Sequence, residues 1–436
     1  MTRFLVLGLV FSAACSKRAN ECFADSDCVV PYPFCDVNGA YAASGGVMNL
    51  CTVVPDNCPA ERCGCTPNAT TCSDQTLSVC NSDGKSATRT ACDLGCSTDG
   101  THCQFFTPSN GLGEALATAG AEPDIDIPDN FWLYVATGAI ENEQATQHVS
   151  VKSIVVSQSS GAALRIFIAH SFRIHNLLVP SASGNPIAFV AVGPITIDGL
   201  VEAGAGIVHF GGTVPSTGAC TGGSNNRGGG GGGNATAGGN GALRAQLPPA
   251  AGAPGGLAQA AVFEPLGGGC AGGSSDSTAG PGGGGAGGGA IQFVSLTSVA
   301  VARGGTVNVG GQGGYDHAGG GAGGTVLLES PAISLLGKVT ANGGSGGACG
   351  FSGANGSRDG LAAPGVAGCS GTMTLSGAGG TGSTAPTDGF ASSADPGAGG
   401  GGSVGRLGIH SHDGSYEHDT QSILSAKVTA DSLVLK

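Results

Sequence analysis

Residues 186–203 read PIAFVAVGPITIDGLVEA, a pattern from which the architecture can be read. Ile187 and Phe189 alternate with smaller residues, Gly193-Pro194 makes a corner, and Ile195 and Ile197 alternate again before Gly199 and a last short run. Period-two alternation sends successive side chains to opposite faces, so each run is a half-buried strand. Two later stretches repeat the plan. Gly289–Gly314 is GAIQFVSLTSVAVARGGTVNVGGQGG and Gly324–Gly347 is GTVLLESPAISLLGKVTANGGSGG. Each is strand, corner, strand, glycine, short strand and glycines. They begin about 35 residues apart, inside the period range of solenoid repeats.

Outward from these repeats, the same alternation predicts inward sets Leu164, Ile166 and Ile168 in Ala163–Ala169, and Phe172, Ile174 and Leu178 in Phe172–Leu178. Val299 and Val301, Val307 and Val309, Val326 and Leu328, Ile333 and Leu335, and Leu407 and Ile409 continue the series. Short strands with sharp corners stack at ~4.8 Å and close a shared core. Asn176, Asn308 and Asn342 fall near corners, where Asn tolerates left-handed backbone angles. The expected class is all-β: a right-handed parallel β-helix with long glycine-rich loops, preceded by a small disulfide-rich domain. An antiparallel sandwich explains the alternation equally well but not the strand–glycine–strand repeat.

The rest of the chain divides around this body. Residues 1–14 read as a signal peptide, 15–104 as the disulfide-rich domain, 105–130 as a connector and 131–436 as the β-helix. In the connector Leu112, Ala115, Leu116 and Ala119 fall at helical spacing and predict a short helix. Glycine supplies 84 of 436 residues, concentrated in Gly204–Gly289, Gly310–Gly324, Gly343–Gly380 and Gly397–Gly402. Loops of this length are functional or disordered. Cys220 and Cys270 lie in the first tract, Cys349 and Cys369 in the third. Each pair is expected to close its own insert, making compact projections from one face.

The chain opens MTRFLVLGLVFSAAC, with one Arg, a short apolar run and small residues before Cys15. This is the layout of an export signal, too short to span a bilayer. Ser12-Ala13-Ala14-Cys15 resembles a bacterial lipobox, although a Leu usually stands where Ser12 is. Seventeen cysteines are odd in number, and removing Cys15 to lipidation leaves an even set that can pair fully. Between Cys22 and Cys103 the cysteines fall into two groups of six, Cys22–Cys63 and Cys65–Cys103, among turn-forming residues. Zinc is the lesser alternative there, because an oxidising compartment favours disulfides.

Cys65–Cys103 followed by Pro108-Ser-Asn-Gly-Leu112, the stretch Pro186–Ala203 and the closing Gly399–Ile409 (GGGGSVGRLGI) carry a resemblance. They resemble uncharacterised bacterial surface lipoproteins that join a Cys-rich module to a glycine-rich, pectate-lyase-like β-helix. The resemblance implies the fold and an envelope location, and no activity.

The net charge of −13, with 17 basic residues, argues against nucleic acid, whose phosphates need Lys and Arg. No adjacent Asp-Asp, Gly-His-Gly or Arg-x-Lys pattern of polygalacturonases is present. Two clusters remain. Asp124-Ile-Asp126-Ile-Pro-Asp129 puts two carboxylates on one strand face, where a solvated edge outweighs a calcium site. His410, His412 and His418 are a weak candidate set for zinc, copper or nickel, with Arg406, His410 and His412 on an outward face. The expected function is that of a non-enzymatic lipoprotein of the outer membrane or cell surface, anchored through its lipid and acting in adhesion or envelope interaction. Its partners would be cell-surface glycans or proteins, with no cofactor. The alternative is a carbohydrate-binding or polysaccharide-cleaving β-helix protein.

Overall fold

A computed structural model describes residues 28, 34–36, 48, 50–52, 68–81, 87–92, 94–179, 185–204, 219–224, 228–242, 252–277, 280–367, 376–390 and 397–436. The signal segment, Cys15 and Cys369 lie outside the described residues. The chain divides into two compact units, Met1–Phe105 and Phe106–Lys436.

The first unit is small and covalently tied. Strands β1 (Phe34–Asp36) and β2 (Leu50–Thr52) pair antiparallel, and Cys28–Cys51 is a disulfide beside them. Strands β3 (Thr70–Ser73), β4 (Thr76–Cys80) and β5 (Ala87–Ala91) form an antiparallel sheet with disulfides Cys72–Cys96 and Cys92–Cys103. The described bridges link cysteines within one predicted group of six or the other.

In the second unit, helix α1 (Gly113–Ala119) is followed by β6 (Asp124–Ile127), β7 (Phe131–Tyr134), β8 (Ala139–Asn142), β9 (His148–Val149) and β10 (Lys152–Val156). Then β11 (Leu164–Ala169) leads to β12 (Ser171–Leu178), and β13 (Ile187–Ala191) to β14 (Ile195–Glu202). A small hairpin follows, β15 (Ser275–Ser277) with β16 (Gly280–Gly282). The repeats continue as β17 (Ala290–Ser295), β18 (Ser298–Val301) and β19 (Thr306–Asn308), then β20 (Thr325–Glu329), β21 (Ala332–Leu335) and β22 (Lys338–Thr340). The chain closes with β23 (Arg406–Ser411), β24 (Ile423–Leu424) and β25 (Lys427–Ser432).

One sheet runs β10-β11-β13-β17-β20-β23-β25, parallel throughout except at β10. The other contains β6, β12, β14, β18 and β21 in one parallel series, and β7, β12, β14, β19, β22 and β24 in another. The chain alternates between the two sheets, and one core lies between them.

In-register rows build that core. Phe167, Phe189, Phe293, Leu328 and Ile409 line up across the first sheet, all buried. Phe189 stacks on Phe167 at 5.3 Å and on Phe293 at 5.4 Å, and meets Phe172 edge-on. Such pairs add about 0.5–1.5 kcal/mol each beyond area burial. From the second sheet Ile125, Phe172, Ile195, Val299 and Ile333 form the facing row.

Two predicted phases need correction. In β11 the core takes Phe167 and Ala169, while Leu164, Ile166 and Ile168 are buried on the opposite face. There α1 packs on β11 and β13 and buries Ala115, Leu116 and Ala119. A sheet covered on both faces reads as apolar throughout, so alternation cannot assign its phase. In β12 the core residue after Ile174 is Leu177 rather than Leu178, because a bulge shifts the β12–β14 register between Ile174 and Asn176.

The glycine tracts differ most from expectation. Among the described residues most of their glycines are buried and bonded to one another rather than projecting as loops. Gly229 and Gly232 donate to the carbonyls of His317 and Gly320, Gly230 and Gly233 to those of Gly223 and Cys220, and Gly231 to Gly239. Carbonyls of the same segment accept from Gly256, Cys270, Gly273, Gly400 and Ser403. A backbone that returns to the same neighbour every third residue has the threefold geometry of a polyproline II helix. Residues 319–324 behave alike: Gly319 and Ala322 donate to Gly273 and Cys270, Gly320 and Gly323 to Gly400 and Ser403, Gly321 and Gly324 to Gln312 and Val309. Glycine is required because the backbones nearly touch. A Cβ on Gly231 would fall on the carbonyl of Gly401. The predicted Cys220–Cys270 bridge is present, and the two carbonyls beside it accept from Gly233 and Ala322 inside this assembly. Cys349 is also disulfide-bonded.

Candidate functional site

The outward face of the sheet containing β6, β12, β14, β18 and β21 carries a continuous polar row. Asp126, Arg173, Thr196, Ala300 and Ser334 are successive in-register partners, and Ser334 bridges to Glu417. The inward neighbours Ile125, Phe172, Ile195, Val299 and Ile333 fix this face by alternation, since they cannot leave the core. At strand spacings of ~4.8 Å the row is an extended track across several strands.

One end of the track is charged and internally paired. Asp124 Oδ1 accepts from Ser171 Oγ at 2.6 Å and lies 2.7 Å from His170 Nδ1. The Ser171 hydroxyl and then His170 hold the Asp124 carboxyl below its ordinary range. His175 sits between two carboxylates, its Nε2 3.1 Å from Asp126 Oδ1 and its Nδ1 2.8 Å from Asp198 Oδ1. Arg173 donates from Nε and Nη2 to Asp198 Oδ2 at 2.9 and 2.8 Å, which raises its guanidinium pKa further. Asp124 and Asp126 are thus exposed on one strand face as predicted, Asp124 engaged by His170 at the corner between β11 and β12 and Asp126 by His175 of β12.

The other end is a cleft of about 490 Å³ floored by β18 and β21 and walled by the 412–417 turn. Ser298, Ala300 and Ser334 supply small side chains; His412, Asp413, Tyr416 and Glu417 form the wall. Ser334 Oγ donates to Glu417 Oε2 at 2.7 Å. Asp413 Oδ1 accepts from the hydroxyl of Ser415 and its amide at 2.9 Å, and these bonds, the hydroxyl's first, keep its carboxyl ionised to lower pH than usual. Tyr416 is fixed from behind by the core and lies 5.2 Å from the His418 ring. Chemically, the cleft offers carboxylate and hydroxyl acceptors, hydroxyl donors and an aromatic surface.

The structure does not gather the predicted histidines. His410 Nδ1 lies 3.0 Å from Glu329 Oε1, its in-register partner on β20 of the same sheet, while His412 is exposed at the cleft wall, and His418 is exposed and packs on Tyr416. The hydrogen bond with Glu329 raises the His410 pKa, against the opposing effect of burial. The predicted outward face of β23 is covered, too. Arg406 is buried, donating to the carbonyls of Asn234, Gln259 and Ala260, and Phe263 lies over His410 at 6.1 Å. Burial pulls the Arg406 pKa down. Among the described residues, the one group with metal-like spacing is Cys72, Cys92 and Cys103. All three are oxidised in disulfides and offer no thiolate.

Sequence reasoning missed Arg173, His175, Asp198, Ser334 and Tyr416. Arg173 and His175 alternate with Phe172 and Ile174, so the signal was present in the phase of β12. Its pairing with β6 and β14 was not. No family model matches this chain, and no curated protein or solved structure matches it either.

Proposed function

We propose that this protein is an exported, lipid-anchored surface protein that binds a glycan along the polar track and does not cleave it, serving adhesion or envelope interaction. The observation that carries this reading is the cleft at Ser298, Ser334, Tyr416 and Glu417, continued by the small residues Thr196 and Ala300. A flat, hydroxyl-bearing floor with one aromatic wall suits sugar rings, which present hydroxyls at their edges and C–H groups on their faces. The charged end supports binding over catalysis, because Arg173, His175 and Asp198 are spent on one another. The body is proposed to be a right-handed parallel β-helix. The repeated passage from one sheet to the other, with parallel registers, favours that form over a sandwich. Lipidation at Cys15 rests on the lipobox-like sequence and on the odd cysteine total.

A glycan array probed with the purified protein tests the reading. Wild type should bind a restricted set of glycans, and Tyr416→Ala and Glu417→Gln should each weaken that binding at least about tenfold, or ~1.4 kcal/mol. Uniform silence on the array rejects it. So does heat-labile release of reducing or unsaturated ends from uronic-acid polymers, which would make the cleft catalytic.

A further inference from the structure

The sheet that runs from β10 to β25 ends differently at its two edges. At one edge the antiparallel strand β10 has its lysine already engaged, Lys152 Nζ lying 2.7 Å from Glu122 Oε1. At the other, β25 pairs with β23 alone among the described strands. The Lys427 amide donates to Gly405 and the Leu433 amide to Ser411, so odd-numbered residues spend their backbone groups on β23. In a parallel pair the intervening residues face the other way, which leaves Val428, Ala430 and Ser432 aimed at the free edge.

That edge also leaves the core unfinished. The inner row Phe167, Phe189, Phe293, Leu328 and Ile409 continues in register to Ala430, which is exposed. On the opposite face Lys427, Thr429 and Asp431 point together, and neither charged side chain forms an ion pair or side-chain hydrogen bond with a described residue. His410, in register with Asp431, is occupied by Glu329.

We propose that β25 is a self-complementary edge on which a second copy of this chain docks its own β25, antiparallel, about a twofold axis through Thr429. In this register Val428 and Ala430 of one copy exchange backbone hydrogen bonds with Ala430 and Val428 of the other. Lys427 then lies directly opposite Asp431 of the other copy, twice over. The inner faces of Val428 and Ala430 complete the interrupted apolar row. Centring the axis on Val428 or on Ala430 instead sets Lys427 opposite Thr429 or Leu433, and the charges go unmatched. A twofold axis makes the contact isologous, so assembly closes at a dimer.

Sedimentation equilibrium on the purified protein tests the pairing through charge reversal. Lys427→Asp and Asp431→Lys each place like charges opposite one another at two equivalent positions, and each should weaken the dimer on the order of tenfold or more. The double reversal Lys427→Asp/Asp431→Lys should restore it. Register is read separately by oxidation. Thr429→Cys should give a disulfide-linked dimer, since non-hydrogen-bonded antiparallel partners have Cα atoms ~4.5 Å apart, within disulfide reach; Ser432→Cys should not. Thermal unfolding like that of wild type shows that each variant is folded. A wild type that is monomeric at all concentrations overturns the proposal. So does a dimer indifferent to single reversal, a double reversal without recovery, or cross-linking at 432 in place of 429.

Discussion

At the residue scale, His410 shows how one side chain changes meaning when its neighbours are known. In sequence it belongs to a histidine-rich tail; in the fold it is a half-buried partner of Glu329, whose carboxylate also accepts from Ser109 and Gln292. Its pKa is raised, chiefly by the hydrogen bond with Glu329. A histidine that binds its proton more tightly when folded stabilises the fold fully below its unfolded pKa of ~6.5 and loses that contribution as pH rises through the higher folded value. The thermal unfolding temperature of wild type should therefore fall, as pH rises above about 6.5, by more than that of His410→Gln. Parallel curves for the two proteins would remove the ion pair from the account. The alternation around Ile195 and Thr196 is the contrasting case, with Ile195 fully buried and Thr196 half-buried as their phase requires. Side-chain direction along a strand is a local property, and local properties are legible.

At the element scale, the strands and the glycine segments obey different rules. The strands are apolar rows closed by side-chain packing. The glycine segments have almost no side chains, and each is held by backbone hydrogen bonds worth about 0.5–1.5 kcal/mol net. These must offset an ordering cost that is largest for glycine. Cys220–Cys270, closing a separation of 50 residues, contributes about 4 kcal/mol toward that cost in the chain-entropy account. The consequence is a sharp positional contrast for one substitution. Gly231→Ala should destabilise by about 1–3 kcal/mol or more, because its methyl has no room beside Gly401. Gly283→Ala, where nothing lies within 4 Å of a Cβ, should be neutral or stabilising by about 0.4–1 kcal/mol. Denaturant unfolding of the two variants measures this, and similar losses at both positions would refute a close-packed glycine assembly.

At the scale of the whole molecule, the two units are stabilised by different means. The Cys-rich unit has short strands and disulfides; the larger one has the continuous core and the glycine assembly. Lipid anchoring at Cys15 is the proposal that ties both to a membrane. Wild type expressed in a bacterial host should enter the detergent phase of a Triton X-114 extraction, and Cys15→Ala should not. A wild type that stays aqueous means that cleavage, rather than lipidation, is the fate of this site.

What depends on neighbours along the chain is legible in the order of the amino acids. It comprises the β class, the strand–corner–strand repeat, the helix over Leu116 and the two exposed carboxylates of β6, while the Cys220–Cys270 pairing, across 50 residues, followed from the even number of cysteines in one insert. What depends on residues far apart in sequence emerges with the folded chain. Asp126, Arg173, Ser334 and Glu417 share one track because parallel registers align them, and no local pattern encodes a register. His410, His412 and His418 part company for the same reason. The glycine tracts carry no side-chain period at all. Their order comes from hydrogen bonds between segments as distant as Gly231 and Gly256 or Gly229 and Gly400, which exist only once every segment is in place.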